Sequence, residues 1–204
     1  MNKISLKGMI RNIEYSHNVE DIEYQKAELI VPRTDGEDDV LNLKFKRYSN
    51  QYTEGQIVSL LGNIRSYSQK LADGKNKVEL YVFTYFDIPE TDENDLELIN
   101  HFEIDGKVCK IDKLRKNKDR KESFHFILAN NIFVEDKNTR IDTYLPCVCF
   151  GECAKKLSKE LKVSDFISLE GQLHSRTYRK YYENGEMEIK TAHEAVISKY
   201  ESIN

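Results

Sequence analysis

Residues 172, 174, 176 and 178 are Gln172, His174, Arg176 and Tyr178. In a β-strand successive side chains point to opposite faces, so these four would share one face. The other face would carry Ile167, Leu169 and Leu173. The same arrangement occurs earlier, where Asn63, Arg65 and Tyr67 alternate with Leu60 and Ile64. A third segment sets Tyr144 and Phe150 on one face and Cys147 and Cys149 on the other. Aromatic rings interleaved with cations form a platform for single-stranded nucleic acid. Bases stack on the rings for about 1–3 kcal/mol each, and arginine adds phosphate and cation–π contacts. Such a surface needs no base-edge code and tolerates any sequence. Aromatic residues on strands also pack in cores and at domain interfaces, and that reading stands beside the first one. Phe45, Phe83, Phe124 and Phe126 are expected in the core, and His125 and His174 on a hydrogen-bonding rim.

Charge is unevenly distributed. The formal net charge is −4, below what a simple nucleic-acid binder usually carries. Residues 107–121 nevertheless hold Lys107, Lys110, Lys113, Arg115, Lys116, Lys118, Arg120 and Lys121 against only Asp112 and Asp119. Acids gather at 35–39 and 87–97. A local basic patch attracts phosphate whatever the total charge, which makes Lys116 and Arg120 candidate phosphate contacts. The alternative is a solvated hairpin tip. No metal-binding His-Glu motif, phosphate-cradling loop or nucleophile with a paired base is present, so no enzyme and no cofactor is expected. The spacing of Cys147, Cys149 and Cys153 matches no common zinc pattern, and with Cys109 they read as small core residues rather than metal or redox groups.

Positioning these residues requires strands, and the strands repeat. Apolar-x-Gly-x-apolar stands at Leu6–Ile10 and again at Ile104–Val108. The segments 57–66 and 166–175 align without a gap, placing Gly62 on Gly171, Leu60 on Leu169 and Ser66 on Ser175. Asp73-Gly74 and Asn184-Gly185 follow as hairpin turns. Five strands are predicted in the first unit, at 3–12, 24–32, 40–48, 57–67 and 77–87. Five more are predicted in the second, at 102–114, 123–134, 142–150, 166–178 and 186–200. Ala154, Leu157 and Leu161 recur at helical spacing and predict a helix over 152–161. In the first unit only residues 49–54 fill that place, so its helix is a stub or absent. Five strands with a helix between the third and fourth is the OB-fold plan. The fold class is therefore all-β with one short helix, as two tandem five-stranded Greek-key barrels. The domains are 1–88 and 101–204, joined by an acidic linker over 89–100. Gly8, Gly106, Gly62 and Gly171 would let the long strands bend.

The 204 residues allow two domains of about 100 residues each. No apolar run is long enough to span a membrane, and residues 1–5 lack an apolar signal core. A cytoplasmic protein with no membrane partner is expected.

The run from Tyr144 through Cys147 to Phe150-Gly151 leads into the helix. It is followed by Phe166-Ile-Ser-Leu-Glu170-Gly171-Gln-Leu173-His-Ser-Arg176-Thr-Tyr178. Over residues 102–201 this pattern resembles the bacterial single-stranded-DNA-binding proteins. The resemblance implies base stacking at Tyr144, Phe150 and Tyr178, with Phe133 the nearest match to the aromatic after the second strand. It implies a basic contact at Arg176. It also implies a homodimer bringing four OB folds together, partners among replication, recombination or repair proteins, and single-stranded DNA as ligand. The first unit matches weakly, keeping Arg65 and Tyr67 but not the Phe-Gly-helix element. The chain ends Ser202-Ile203-Asn204, without the acidic, Phe-terminated tip through which many members recruit enzymes, so recruitment by that route is not expected. Two other readings stay open: an OB-fold accessory protein with weak or no DNA affinity, and an RNA binder, since stacking does not distinguish sugars.

Overall fold

The structure, a computed structural model, describes residues 1–47, 52–70, 76–87, 100–116, 121–134, 139–182 and 185–203. The first half contains β1 (Asn2–Val19), β2 (Ile22–Pro32), β3 (Asp38–Lys46), β4 (Ile57–Lys70) and β5 (Asn76–Asp87). The second contains β6 (Asn100–Ile111), β7 (Arg115–Lys116), β8 (Glu122–Val134), β9 (Thr139–Phe150), α1 (Gly151–Glu160), β10 (Phe166–Tyr181) and β11 (Met187–Ser202). Each half closes on itself. β1 pairs with β2 and β4, β2 with β3, and β4 with β5, and a short parallel ladder joins β3 to β5. In the second half β6 pairs with β8 and β10, β8 with β9, and β10 with β11, and a parallel ladder joins β9 to β11. These are two OB folds in tandem.

The alternation read from sequence sets the cores. Val58, Leu60 and Ile64 are buried in the first barrel, and Ile167, Leu169 and Leu173 in the second. Phe45, Phe124 and Phe126 are buried as expected. Phe83 is only partly buried: on β5 it alternates with the buried Leu80, Val82 and Thr84 and so stands on the outer face, where the Arg65 guanidinium covers it 3.9 Å from the ring centre. Cys147 and Cys149 are buried, and desolvation pushes both thiols up from their ordinary range. Helix α1 inserts Ala154 and Leu157 into the core, with Leu161 packed beside them. Gly151, at φ 59°, makes the turn from β9 into that helix.

The four repeated glycines sit where neighbouring strands approach closely. A Cβ on Gly62 would lie 2.6 Å from the Phe83 carbonyl oxygen, and one on Gly106 2.6 Å from that of Ala129. A Cβ on Gly8 or Gly171 would overlap the carbonyl oxygen of Ile30 or Val196 more closely still.

Strand ends differ from the sequence reading. β1 runs on to Val19 rather than stopping at Asn12. Beyond the barrel it pairs, among the described residues, only with β2, and both faces meet solvent, so no apolar alternation marks it. β10 likewise continues to Tyr181, and the 102–114 strand stops at Ile111 before the short β7. The possible first-unit helix falls partly on residues outside the described ones, and Tyr52–Gln56 form a turn. The proposed linker lies outside the described residues except for Asn100, which begins β6.

The barrels join through an antiparallel β1–β6 ladder in which Ile4 faces Phe102, Asn2 faces Ile104 and Leu6 faces Asn100. Ile4 precedes Gly8 by the same spacing as Phe102 precedes Gly106, so the ladder is centred on a pseudo-two-fold axis. Asn2 and Asn100 are equivalent under it and make the same pair of bonds to the backbone, Asn2 donating in addition to Asn130 Oδ1 at 2.9 Å. Asn2 Oδ1 accepts from the Ile64 amide at 2.9 Å, and its Nδ2 donates to the Ile64 carbonyl at 2.8 Å. Asn100 does the same to Leu173 at 2.9 and 2.8 Å. Each side-chain amide extends the ladder past Gly62 or Gly171, satisfying backbone groups that burial would otherwise leave unpaired.

Candidate nucleic-acid interface

The registers match residues between barrels. Leu43 and Ile64 both flank Val82, as Cys147 and Leu173 flank Ala195. Tyr144 is therefore the counterpart of Val40, Phe150 of Lys46, Arg176 of Tyr67 and His174 of Arg65. Ser66 and Ser175, equated by the repeat, tie the barrels together. Ser66 Oγ accepts from the Tyr144 amide at 2.8 Å, and Ser175 Oγ from the Val40 amide at 2.8 Å.

Six of the sequence candidates gather along this seam. Tyr144 is 44% and Tyr178 39% exposed on the second barrel, and Tyr67 is 55% exposed on the first. Arg176 sits 5.8 Å from the Tyr178 ring centre and is ion-paired with Glu194 at 3.5 Å. Arg65 is occupied on Phe83. His174 Nδ1 bonds at 2.8 Å to Asp39 Oδ2, a fully buried carboxylate that also accepts from the Ser175 amide at 2.6 Å and faces Arg33 at 3.7 Å. His174 thus holds the barrels in register, a contact that sequence alone could not anticipate.

Phe150, 52% exposed, lies at the opposite end of β9. It faces Ser123 of β8, which in turn faces Arg115 of β7. Lys116 neighbours Arg115 and pairs with Glu122 at 3.5 Å. Phe150 and the middle of the basic run, at Arg115 and Lys116, are therefore brought together. Arg120 lies outside the described residues, as does the side chain of Phe133, whose backbone pairs with Arg140.

The β10–β11 hairpin projects beyond the barrel and adds residues the sequence reading missed. Tyr178 faces Lys190 across it. Lys180 and Lys190 lie 4.9 and 5.8 Å from the Tyr182 ring centre, and the Tyr182 hydroxyl donates to Glu188. Hydrogen bonds to Tyr182 and Glu188 raise the Lys190 pKa, so that cation stays charged. Continued alternation beyond Tyr178 was the available signal.

A cleft of about 230 Å³ between Lys110, His125 and Arg176 links the seam to the inner part of this face. Burial holds His125 below the ordinary imidazole range, which outweighs the attraction of Glu194. The surface can therefore stack planar rings on Tyr144, Phe150 and Tyr178 and hold anions at Arg176, Lys180 and Lys190.

Residues 99–201, half of the chain, match the model of the Single-strand binding protein family. The chain belongs to that family. A curated relative, the single-stranded DNA-binding protein of Staphylococcus epidermidis, is 25% identical over 83 residues. That match covers 41% of this chain and 63% of the relative, so the chain spans less than two thirds of the relative's length. The crystal structure of the wild-type single-stranded DNA binding protein from Thermus aquaticus superposes with a TM-score of 0.71 at 15% identity, covering 100% of this chain and 93% of that one. A deletion mutant of the same protein gives the same score over 95% of its chain. At that identity the likeness concerns the fold, and it extends over both barrels. The family match covers the second barrel, which holds Tyr144, Phe150, Arg176 and Tyr178. Among the described residues no helix is long and apolar enough to cross a membrane.

Proposed function

We propose that this protein binds single-stranded DNA without sequence preference and shields it during replication, recombination or repair. The observation carrying the reading is the Tyr144, Arg176 and Tyr178 group, exposed on the outer face of the family-matched barrel beside a cationic hairpin. Bases stack on the tyrosines while Arg176 exchanges Glu194 for phosphate. Phe150 with Arg115 and Lys116 forms a second contact at the far end of β9. Lys116, Tyr67 and Arg65 are supporting contacts, and His174 acts by fixing the seam. Two OB folds per chain suit a homodimer of four, working in the cytoplasm without catalysis.

An accessory role with weak DNA affinity is the second reading. Its support is the first barrel, where Val40 and Lys46 stand in place of Tyr144 and Phe150. The test is fluorescence anisotropy with labelled oligo-dT against a duplex of equal length at two salt concentrations. Salt-sensitive binding to the single strand alone is expected. No binding at low salt returns the protein to the accessory reading. Competition with oligo-rU then separates DNA from RNA.

A further inference from the structure

The β10–β11 hairpin leaves the second barrel at Ser175 and His193, which face each other across it. Among the described residues, β10 pairs with β6 only as far as Gly171, and β11 with β9 only at Ala195 and Val196. From Arg176 and Ala192 outward the described parts of the two strands pair only with each other. A two-stranded ribbon is marginally stable by itself, so its pose is set at its root. Tyr178 stands three residues beyond Ser175, about 10 Å along the strand. A tilt of about 15° at the root would carry its ring roughly 3 Å, enough to break a stacking contact at van der Waals distance.

The root is held by the first barrel. Asp39 Oδ1 accepts from the Ser175 amide at 2.6 Å, and Asp39 Oδ2 meets His174 Nδ1 at 2.8 Å. One residue on, the Val40 amide donates to Ser175 Oγ at 2.8 Å, and the Val40 carbonyl accepts from His193 Nε2 at 2.8 Å. Two neighbouring residues of β3 therefore bond both strands of the hairpin at the place where it departs. Arg33, 3.7 Å from Asp39 Oδ1, balances the carboxylate from within the first barrel.

The first barrel's own hairpin is rooted differently. Ser66 keeps the bond to the Tyr144 amide. Leu80 stands where His193 does and has no side-chain donor for the Tyr144 carbonyl. Thr143, in the place of Asp39, donates its Oγ1 hydroxyl to the Ile64 carbonyl at 3.4 Å. A carboxylate and two imidazoles stand only at the root of the hairpin that carries Arg176, Tyr178, Lys180 and Lys190.

Asp39 is fully buried and does not reach a bound strand itself. Resting on the function proposed above, we propose that Asp39 is a positioning residue for single-strand binding. From the first barrel it seats the hairpin of the second, and so aims Arg176 and Tyr178. The barrel that has Val40 and Lys46 in place of Tyr144 and Phe150 serves as the mount on which the other's hairpin stands.

The test is a double-mutant cycle read by the anisotropy of labelled oligo-dT. Asp39→Thr installs the residue of the mirrored root and is expected to weaken binding about ten-fold. Asp39→Asn, which keeps an acceptor for the Ser175 amide, is expected to recover most of that loss. Tyr178→Ala, costly in the unaltered protein, is expected to cost less than about two-fold in the Asp39→Thr background, because the ring is no longer aimed. Phe150→Ala, at the far end of β9, is expected to cost the same in both backgrounds. Should Asp39→Thr fail to fold, His174→Ala, which breaks only the side-chain bond, takes its place in the cycle. Full affinity in the root variant, an undiminished loss from Tyr178→Ala, or a Phe150→Ala loss that shrinks in step with it overturns the positioning role while leaving single-strand binding intact. Failure of the unaltered protein to bind overturns the function itself.

Discussion

The two barrels share a backbone plan and differ in what they present to solvent. Their glycines, their strand-extending asparagines and their seam serines occupy equivalent places and make equivalent bonds. Their outer faces have separated: Tyr144 against Val40, Phe150 against Lys46, Arg176 against Tyr67, His193 against Leu80. What closes a barrel has been retained in both halves. What a barrel touches has been free to change.

That comparison can be broken or sharpened by paired substitutions. The largest effect is expected from Gly171→Ala and Gly62→Ala, whose new methyl groups meet backbone carbonyls that cannot move aside. Each should cost about 2–3 kcal/mol, measured by urea unfolding, and a neutral result in one barrel alone would show that the two are not built alike. Next, Tyr178→Ala and Tyr144→Ala should each weaken oligo-dT binding by about 1–3 kcal/mol, while Val40→Ala, at the position matching Tyr144, leaves affinity unchanged. Equal losses from Tyr144→Ala and Val40→Ala would mean that the seam, not stacking, was disturbed. Asn2→Ala and Asn100→Ala each strand a buried amide and carbonyl and should cost about 1–3 kcal/mol of stability, similar in the two barrels.

The smallest effect is a pH dependence confined to one half. Burial lowers the His193 pKa below its ordinary value, and the Val40 carbonyl and nearby carboxylates only partly offset this. The unfolded chain then binds a proton that the folded chain refuses. Stability is complete above the unfolded pKa of about 6.5 and is lost as pH falls through and below it, by at most about 1.4 kcal/mol per pH unit. His193→Leu, which installs the residue of the first barrel, should flatten thermal melts between pH 7.5 and 5.5, apart from the share due to His125, whose pKa burial also lowers. An unchanged slope would assign the dependence elsewhere.

The barrels were legible because a tight β-barrel forces local chemistry to repeat. Glycine stands where strands approach within reach of a Cβ, and apolar residues alternate on the inner face. The matched segments around Gly62 and Gly171 therefore located both folds, and Ala154, Leu157 and Leu161 located the helix. The outer extent of β1 and β10 was illegible because a hairpin with solvent on both sides imposes no apolar period. Tyr144, Phe150, Arg176 and Tyr178 could be placed on outer faces by alternation alone. The seam could not be foreseen. The bond from His174 to Asp39 and the role of Asn2 and Asn100 depend on contacts between residues far apart in the chain.

The β1–β6 ladder joins halves that belong to one polypeptide. When two identical subunits meet on a true dyad, every replacement appears twice, and a change must suit both sides of the axis at once. Here a replacement is counted once. A carboxylate at 39 can be installed opposite an imidazole at 174 while the mirrored site keeps Thr143 and Arg65. Covalent fusion has thus freed each half to specialise without its twin, and the partnership persists at any dilution because neither half can drift away.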